Sequence, residues 1–199
     1  MDMLIIAGFL GSGKTTIIMN TIERISERTG QKIAVIVNDF GNIGIDAKVM
    51  EKYGLKVHEL PRGCICCTLG PTLLETVRTI HDKFKPDLLV VEPSGIADPE
   101  AILVTMEHYQ GPPLGSIKVV VLLDTVRFPT LIQAMKRPLL GQLRSADIVL
   151  MNKADEVNET RLKEVEAYAR STVGDKPVIP VSGTKGQNMD EFVDILVGK

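Results

Sequence analysis

An α/β fold with a mostly parallel central sheet, flanked by helices on both faces, is predicted by three features of this 199-residue sequence. Apolar β-type runs alternate with segments of helical period, the order that βαβ units produce. Runs such as Ile33-Ala34-Val35-Ile36-Val37 are apolar at every position, as expected of strands covered on both sides. A glycine-rich turn, Gly8-Phe9-Leu10-Gly11-Ser12-Gly13-Lys14-Thr15, joins the first apolar run to the first helical pattern.

The elements follow in order. Met3 to Ala7 is the first strand and Thr16 to Arg28 the first helix; Lys32 to Val37 is the second strand. Asn38 to Asp46, rich in Gly, Asp and Asn, is a loop. A short strand over Lys56 to Leu60 is broken by Pro61-Arg62-Gly63. Pro71, at the tolerated first position, opens a helix through Lys83. Asp87 to Glu92 is a strand that ends in a carboxylate, and Pro93-Ser94-Gly95 turns the chain. Asp98-Pro99-Glu100 reads as an N-cap followed by a helix-opening proline, and Gly111-Pro112-Pro113 closes that helix. Ile117 to Leu123 is a strand ending at Asp124, and Val126 to Arg144 is helical with interruptions at Pro129 and Pro138. Asp147 to Met151 is a strand, Glu159 to Thr172 a charged helix, Pro177 to Val181 the last strand, and Asn188 or Met189 to Val197 the last helix. With no repeat, linker or low-complexity tract, residues 1–199 are expected to form one domain.

Composition narrows the function classes. A formal net charge of −2 with no long basic run gives nucleic-acid binding no electrostatic support. No apolar stretch reaches the length of a membrane span. Asp2 precedes the first apolar run, which enters the glycine turn, so the start does not read as a secretory signal and the expected location is the cytoplasm. The three cysteines, Cys64, Cys66 and Cys67, are odd in number and crowded, which points to metal or redox chemistry rather than a disulfide framework.

The turn Gly8–Thr15 fits G-x-x-x-x-G-K-[ST], the P-loop, in the strand–loop–helix setting that motif requires. With Gly at roughly 7% of residues, its four fixed positions recur by accident in only about one chain in a hundred of this size. The backbone N–H groups of Gly8, Gly11, Ser12 and Gly13 and the helix N-terminus at Thr16 attract phosphate oxygens. Lys14 supplies a point charge for the β- and γ-phosphates, and the Thr15 hydroxyl a ligand for Mg²⁺. Glu92, closing a downstream strand, places a carboxylate near that Mg²⁺; the plainer reading is a loop cap. Asp39, in the loop after the second strand, is a candidate for contact with Mg²⁺, the attacking water or a second metal, and Asp46 is either a second such acid or a solvated one. Asn152-Lys153-Ala154-Asp155 is N-K-x-D, again after a strand. An Asp carboxylate there accepts from guanine N1–H and the 2-amino group, a donor pair that adenine lacks. Ser182 and Gly183, after the last strand, offer a backbone contact to the guanine oxygen.

Gly63-Cys64-Ile65-Cys66-Cys67 is the unusual element. Thiolates select soft or borderline cations such as Zn²⁺ or Cu⁺, and hold Co²⁺ or Ni²⁺. In an extended segment Cys64 and Cys66 share a face, and Cys67 joins them if the loop turns. A fourth ligand is then needed: water, a carboxylate such as Asp39, or His58, whose plainer reading is a strand-edge residue. His81 and His108 read as helix-surface residues. A buried cluster of small residues is the weaker alternative for the cysteines.

Taken in order, Gly-Phe-Leu-Gly-Ser-Gly-Lys-Thr-Thr, Asn-Asp-Phe-Gly-Asn-Ile-Gly-Ile-Asp, Gly-Cys-Ile-Cys-Cys, Glu-Pro-Ser-Gly and Asn-Lys-Ala-Asp resemble the CobW-type GTPases, grouped with the HypB and UreG metallochaperones among the SIMIBI-class P-loop proteins. The resemblance covers nearly the whole chain. It implies Mg²⁺-dependent GTP hydrolysis to GDP, coupled to binding and delivery of Zn²⁺, Co²⁺ or Ni²⁺ to a client metalloenzyme or corrinoid protein. It matches Cys64, Cys66 and Cys67 to the metal motif, Lys14, Thr15 and Glu92 to the phosphate and Mg²⁺ positions, and Asn152 and Asp155 to the guanine-specifying ones. It also implies that assembly, as a homodimer or with a partner, completes the site. Asp39 stands where the family commonly has Glu, and Arg62 where Asn usually precedes Gly-Cys. The length reads as a short form without the additional C-terminal domain of typical members. The rivals are a non-catalytic GTP-binding regulator whose cysteines staple a loop, and a small-molecule kinase, against which N-K-x-D argues.

Overall fold

A computed structural model describes residues 1–37, 56–59 and 65–198, with the side chains of 56–59 and 65–70 excepted. The strands are β1 (Asp2–Gly8), β2 (Ile33–Val37), β3 (Lys56–Glu59), β4 (Leu88–Glu92), β5 (Ile117–Asp124), β6 (Ile148–Asn152) and β7 (Val178–Val181). The helices are α1 (Lys14–Thr29), α2 (Ile65–Phe84), α3 (Pro99–Met106), α4 (Phe128–Ala134), α5 (Lys136–Arg144), α6 (Glu159–Val173) and α7 (Met189–Val197), with a short 3₁₀ turn at Ala154–Glu156. The seven strands form one sheet in the order β3-β2-β4-β1-β5-β6-β7, and all the pairings between them are parallel. This is the P-loop NTPase-like architecture the sequence predicts.

The continuous apolar runs have the expected cause. Alternate residues of each strand feed two cores. Met3, Ile5 and Ala7 of β1 join Leu73 and Val77 of α2, Ile102 of α3, Leu143 of α5 and Val165 of α6 on one face. Leu4 and Ile6 join Ile17, Ile18, Ile22 and Ile25 of α1 and Met189, Phe192 and Val193 of α7 on the other. Burying each such side chain is worth about 1.5–3 kcal/mol, so the four isoleucines pin α1, and with it the P-loop, to the sheet.

Three helix assignments differ from the sequence reading. α2 begins at Ile65 and carries Pro71 inside it, where Pro71 was expected to open the helix. A proline removes one intrahelical donor and crowds the preceding turn, which kinks a helix without forbidding it. The backbone is therefore helical from Ile65 through Cys66 and Cys67, so the extended geometry used to pair Cys64 with Cys66 does not hold there. Val126 to Arg144 is two helices that meet at Met135; Pro129 and Pro138 sit in their first turns, where a missing N–H is not needed. α3 ends at Met106, so His108 lies in the turn past its end rather than on its surface, and Gly111 follows in a bend.

All parallel strands end on one edge of the sheet. Gly8, Val37, Glu59, Glu92, Asp124, Asn152 and Val181 are the last residues of β1, β2, β3, β4, β5, β6 and β7, and the register puts Val37 beside Glu92 and Asn152 beside both Asp124 and Val181. Open α/β sheets bind ligands at this edge.

Candidate functional site

β1 leaves the sheet at Gly8, and α1 begins at Lys14 after a left-handed Gly13 at φ 92°. A Cβ on Gly13 would lie 2.3 Å from the Asn152 amide nitrogen, so that position takes only glycine for both backbone and space. The first turn of α1 has neither a side-chain cap nor an acidic residue. Its N–H groups and dipole thus favour an anion rather than a carboxylate of the chain's own. Lys14 is buried at 7% exposure and Glu92 at 8%. Lys14 Nζ lies 3.9 Å from Glu92 Oε1, and the Thr15 hydroxyl donates to Oε1 and Oε2 of Glu92 at 3.3 and 3.4 Å. A hydroxyl and a carboxylate together at the P-loop are oxygen donors of the kind Mg²⁺ takes. Ser12 is buried, and its hydroxyl has no hydrogen-bond partner among the described residues.

The second wall comes from β6 and β7. Asn152, buried at the end of β6, bridges two loops: its amide donates to the Ser12 carbonyl at 2.7 Å, and its Oδ1 accepts from the Gly183 N–H at 3.0 Å. Asn20 of α1 donates to the Gly183 carbonyl at 2.9 Å and to Thr16 at 3.2 Å. The P-loop and the Ser182–Gly183 loop, far apart in sequence, are therefore one surface. Asp155 lies in the 3₁₀ turn after β6. Lys185 Nζ is 3.0 Å from its Oδ2, while its Oδ1 is buried with no hydrogen-bond partner among the described residues. The Ser182 hydroxyl beside this carboxylate, outside hydrogen-bond geometry to Oδ1, and the Lys185 ammonium hold the acid below the ordinary carboxylate range, against the opposing effect of burial. An ionised carboxylate with one buried oxygen open among the described residues is chemically matched to a paired N–H donor such as the guanine edge.

Of the residues singled out from sequence, Gly8, Gly11, Ser12, Gly13, Lys14, Thr15, Thr16, Glu92, Asn152, Lys153, Asp155, Ser182 and Gly183 stand at this one edge. Asp39, Asp46 and Cys64 lie outside the described residues, and Cys66 and Cys67 are described in backbone only, in the first turn of α2. His58, on the edge strand β3, pairs in register with Ile36 of β2. Among the described residues, no group of three or more His, Cys, Asp or Glu is placed to hold a metal ion, and no helix is long and apolar enough to cross a membrane.

Sequence reasoning missed three contributors. Asp124 was noted only as the end of its strand, yet its side chain is fully buried and meets both Arg127 and Lys153. Arg127 donates to the Leu10 carbonyl of the P-loop at 2.5 Å. Gln142, buried on α5, donates to the Gly95 and Ala97 carbonyls at 3.2 and 2.9 Å and so holds the loop after β4. A carboxylate ending an apolar strand was the one local signal for Asp124; for Arg127 and Gln142 spacing offered none.

Comparison with known proteins agrees with this picture. The family model for the CobW/HypB/UreG nucleotide-binding domain matches residues 2–180. The zinc chaperone YeiR of Escherichia coli (strain K12) is 32% identical over 177 residues, which are 88% of this chain and 53% of that protein. The chain spans about half the length of the curated relatives it matches. Among solved structures, the Zn(II)-bound YjiA GTPase from E. coli aligns with a TM-score of 0.65 at 26% identity over 89% of this chain and 56% of that one. The hydrogenase maturation factor HypB from Archaeoglobus fulgidus aligns with a TM-score of 0.72 at 22% identity over 99% of this chain and 89% of that one, a likeness of fold.

Proposed function

The chain belongs to the CobW/HypB/UreG family, and from that premise we propose that it is an Mg²⁺-dependent GTPase that couples its nucleotide state to binding and handing over a transition metal. Zinc is the first choice of metal, since relatives such as YeiR and CobW are named zinc chaperones and another a zinc-regulated GTPase metalloprotein activator; cobalt and nickel are the alternatives at a cysteine site. The recipient is a client metalloenzyme or corrinoid protein. The single observation that carries the GTP assignment is the buried Oδ1 of Asp155, without a hydrogen-bond partner among the described residues, beside loops that Asn152 ties to the P-loop.

In this reading the backbone of Gly8, Gly11, Ser12, Gly13 and Thr16 cradles the phosphates, and Lys14 neutralises the β- and γ-phosphates. Thr15 and Glu92 hold Mg²⁺, which supplies charge neutralisation of the phosphates when bound. Asp39 orients the attacking water or a metal. Asn152, Lys153, Asp155, Ser182 and Gly183 read the base. Cys64, Cys66 and Cys67 bind the cargo metal. β3 and β4 deliver the chain to the same sheet edge, so the segment leading to the cysteines starts on the nucleotide side. Residues 1–199 act as one GTPase domain, in the cytoplasm, where a reduced cysteine cluster persists. A second copy completes the site, a role supported by the exposure of Leu10 in the P-loop and of Ile96, at 81% and 64%, the latter next to Gly95, which lies against Leu10.

The test is a titration of Zn²⁺, Co²⁺ and Ni²⁺ into protein loaded with GDP or with a non-hydrolysable GTP analogue, repeated with Cys66→Ser. Linkage is reciprocal, and a typical coupling gives roughly 5–150-fold different metal affinity in the two states. Equal affinities in both states would reduce the cysteines to a static staple and defeat the coupling.

A further inference from the structure

Asp124 ends β5, which lies between the P-loop strand β1 and the base-reading strand β6. Two cations meet on one of its oxygens: Arg127 Nε donates to Oδ2 at 2.7 Å and Lys153 Nζ donates to the same atom at 2.8 Å. The other oxygen, Oδ1, accepts from the backbone N–H groups of Val126 and Arg127, each at 3.1 Å. Arg127 then reaches the P-loop. Its Nη2 donates to the Leu10 carbonyl at 2.5 Å, and a Cβ on Gly11 would lie 3.1 to 3.4 Å from Nη2, Nη1 and Cζ. A planar guanidinium serves two acceptors in different directions at once; a single ammonium cannot span this fork.

The peptide group gives these contacts their consequence. In a trans peptide the carbonyl and the following N–H point in opposite directions. Holding the Leu10 carbonyl toward Arg127 therefore turns the Gly11 N–H away from Arg127, where it is available to an anion. Asn152 does the same two peptide groups further on, holding the Ser12 carbonyl at 2.7 Å and so orienting the Gly13 N–H. We infer that Arg127 is a positioning residue that braces the P-loop from its carbonyl side, with Asp124 as a buried post shared with Lys153, so that the phosphate cradle and the base-reading strand hold their places as one unit. The inference rests on reading Gly8–Thr15 and Asn152–Asp155 as a GTP site.

The experiment compares Arg127→Ala, Arg127→Lys, Lys153→Ala and the Arg127→Ala/Lys153→Ala double variant with the unaltered chain. Amide exchange of a peptide covering Phe9 to Gly13 is measured without nucleotide, GDP and GTP affinities by fluorescence titration, and thermal midpoints alongside. Arg127→Ala is expected to speed exchange by about fivefold or more and to weaken both nucleotides about tenfold. Arg127→Lys re-pairs with Asp124, so it restores the midpoint but neither the exchange rate nor the affinity. The double variant loses more than the product of the single losses, by about threefold or more, because either cation alone still neutralises the buried Asp124 carboxylate and the double variant leaves it with neither. Arg127→Lys restoring affinity together with stability, unchanged exchange in Arg127→Ala, or single losses that simply multiply would each overturn the brace. Because the exchange arm needs no nucleotide, slow exchange lost in Arg127→Ala in a chain that binds no guanine nucleotide would strike the GTP reading and leave the brace standing.

Discussion

At the proposed base-reading end of the candidate site, Asn152 makes hydrogen bonds of 2.7 and 3.0 Å to the P-loop and to Gly183, whereas at the proposed phosphate end Lys14 and Thr15 each meet Glu92 at 3.3 to 3.9 Å. Short hydrogen bonds between buried groups are costly to exchange, and contacts near the limit of hydrogen bonding exchange cheaply for a ligand. The base end is thus a frame that the protein's own bonds complete. At the phosphate end the groups nearest the P-loop are charged or hydroxylic, and their mutual contacts are the kind that a phosphate and its cation can replace.

The strongest way to break this contrast is Lys14→Ala. Losing the buried cation at the phosphate end is expected to weaken GTP and GDP by about a hundredfold or more, read by calorimetric titration, with the fold retained. Near-normal binding would show that the base end carries the affinity. Asp155→Asn tests the other end. It should cost about tenfold or more of the preference for GTP over ATP, since an unpaired buried carboxylate penalises the wrong base by about 1–3 kcal/mol, and should favour xanthosine nucleotides, whose 2-oxo group needs a donor. Equal GTP and ATP affinity in the unaltered chain would remove the base-reading role.

Asn152→Ala addresses the frame itself. It leaves the Ser12 carbonyl and the Gly183 N–H without their partner, so stability should fall by about 1–3 kcal/mol, with roughly 2–4 °C in thermal midpoint for each kcal/mol. A midpoint unchanged by this substitution would mean that the tight end is not tight energetically. The smallest effect concerns acid. Burial alone would push the Asp124 carboxyl up, but the hydrogen bonds from Lys153 and Arg127 outweigh it and hold the acid below the ordinary carboxylate range. A depressed folded-state value contributes stability that is present above the unfolded-state value, near about 3.9, and lost as pH falls through the folded one. The stability gap between the unaltered chain and Asp124→Asn should be flat above about pH 5 and narrow below about pH 4 in a calorimetric pH series; a gap that persists to lower pH would reassign the acid limb to other groups.

Local patterns carried most of the frame. The strands were legible because both-face burial leaves continuous apolar runs, and the turn Gly8–Thr15 because its glycines and Lys14 occupy fixed offsets. The N-cap at Asp98 was legible for the same reason: its side chain accepts from Glu100 two residues on, at 3.1 Å. Helix ends were less so. Pro71 reads locally as a helix-opening residue, yet α2 begins earlier, at Ile65, and runs through it.

By itself, then, the sequence singled out the runs proposed to carry phosphate, magnesium and base chemistry, because each of those motifs is a short run whose spacing alone imposes its geometry. Only the tertiary structure decided how the runs meet: that Asn152 ties Ser12 to Gly183, that α1 and α7 cover one face of the sheet and α2 to α6 the other, and that Arg127 stands on Asp124 to reach Leu10. Those contacts join residues from 3 to 140 positions apart. They depend on strand order and on the direction each side chain takes at the end of its strand, and neither quantity is written in the spacing of residues along the chain.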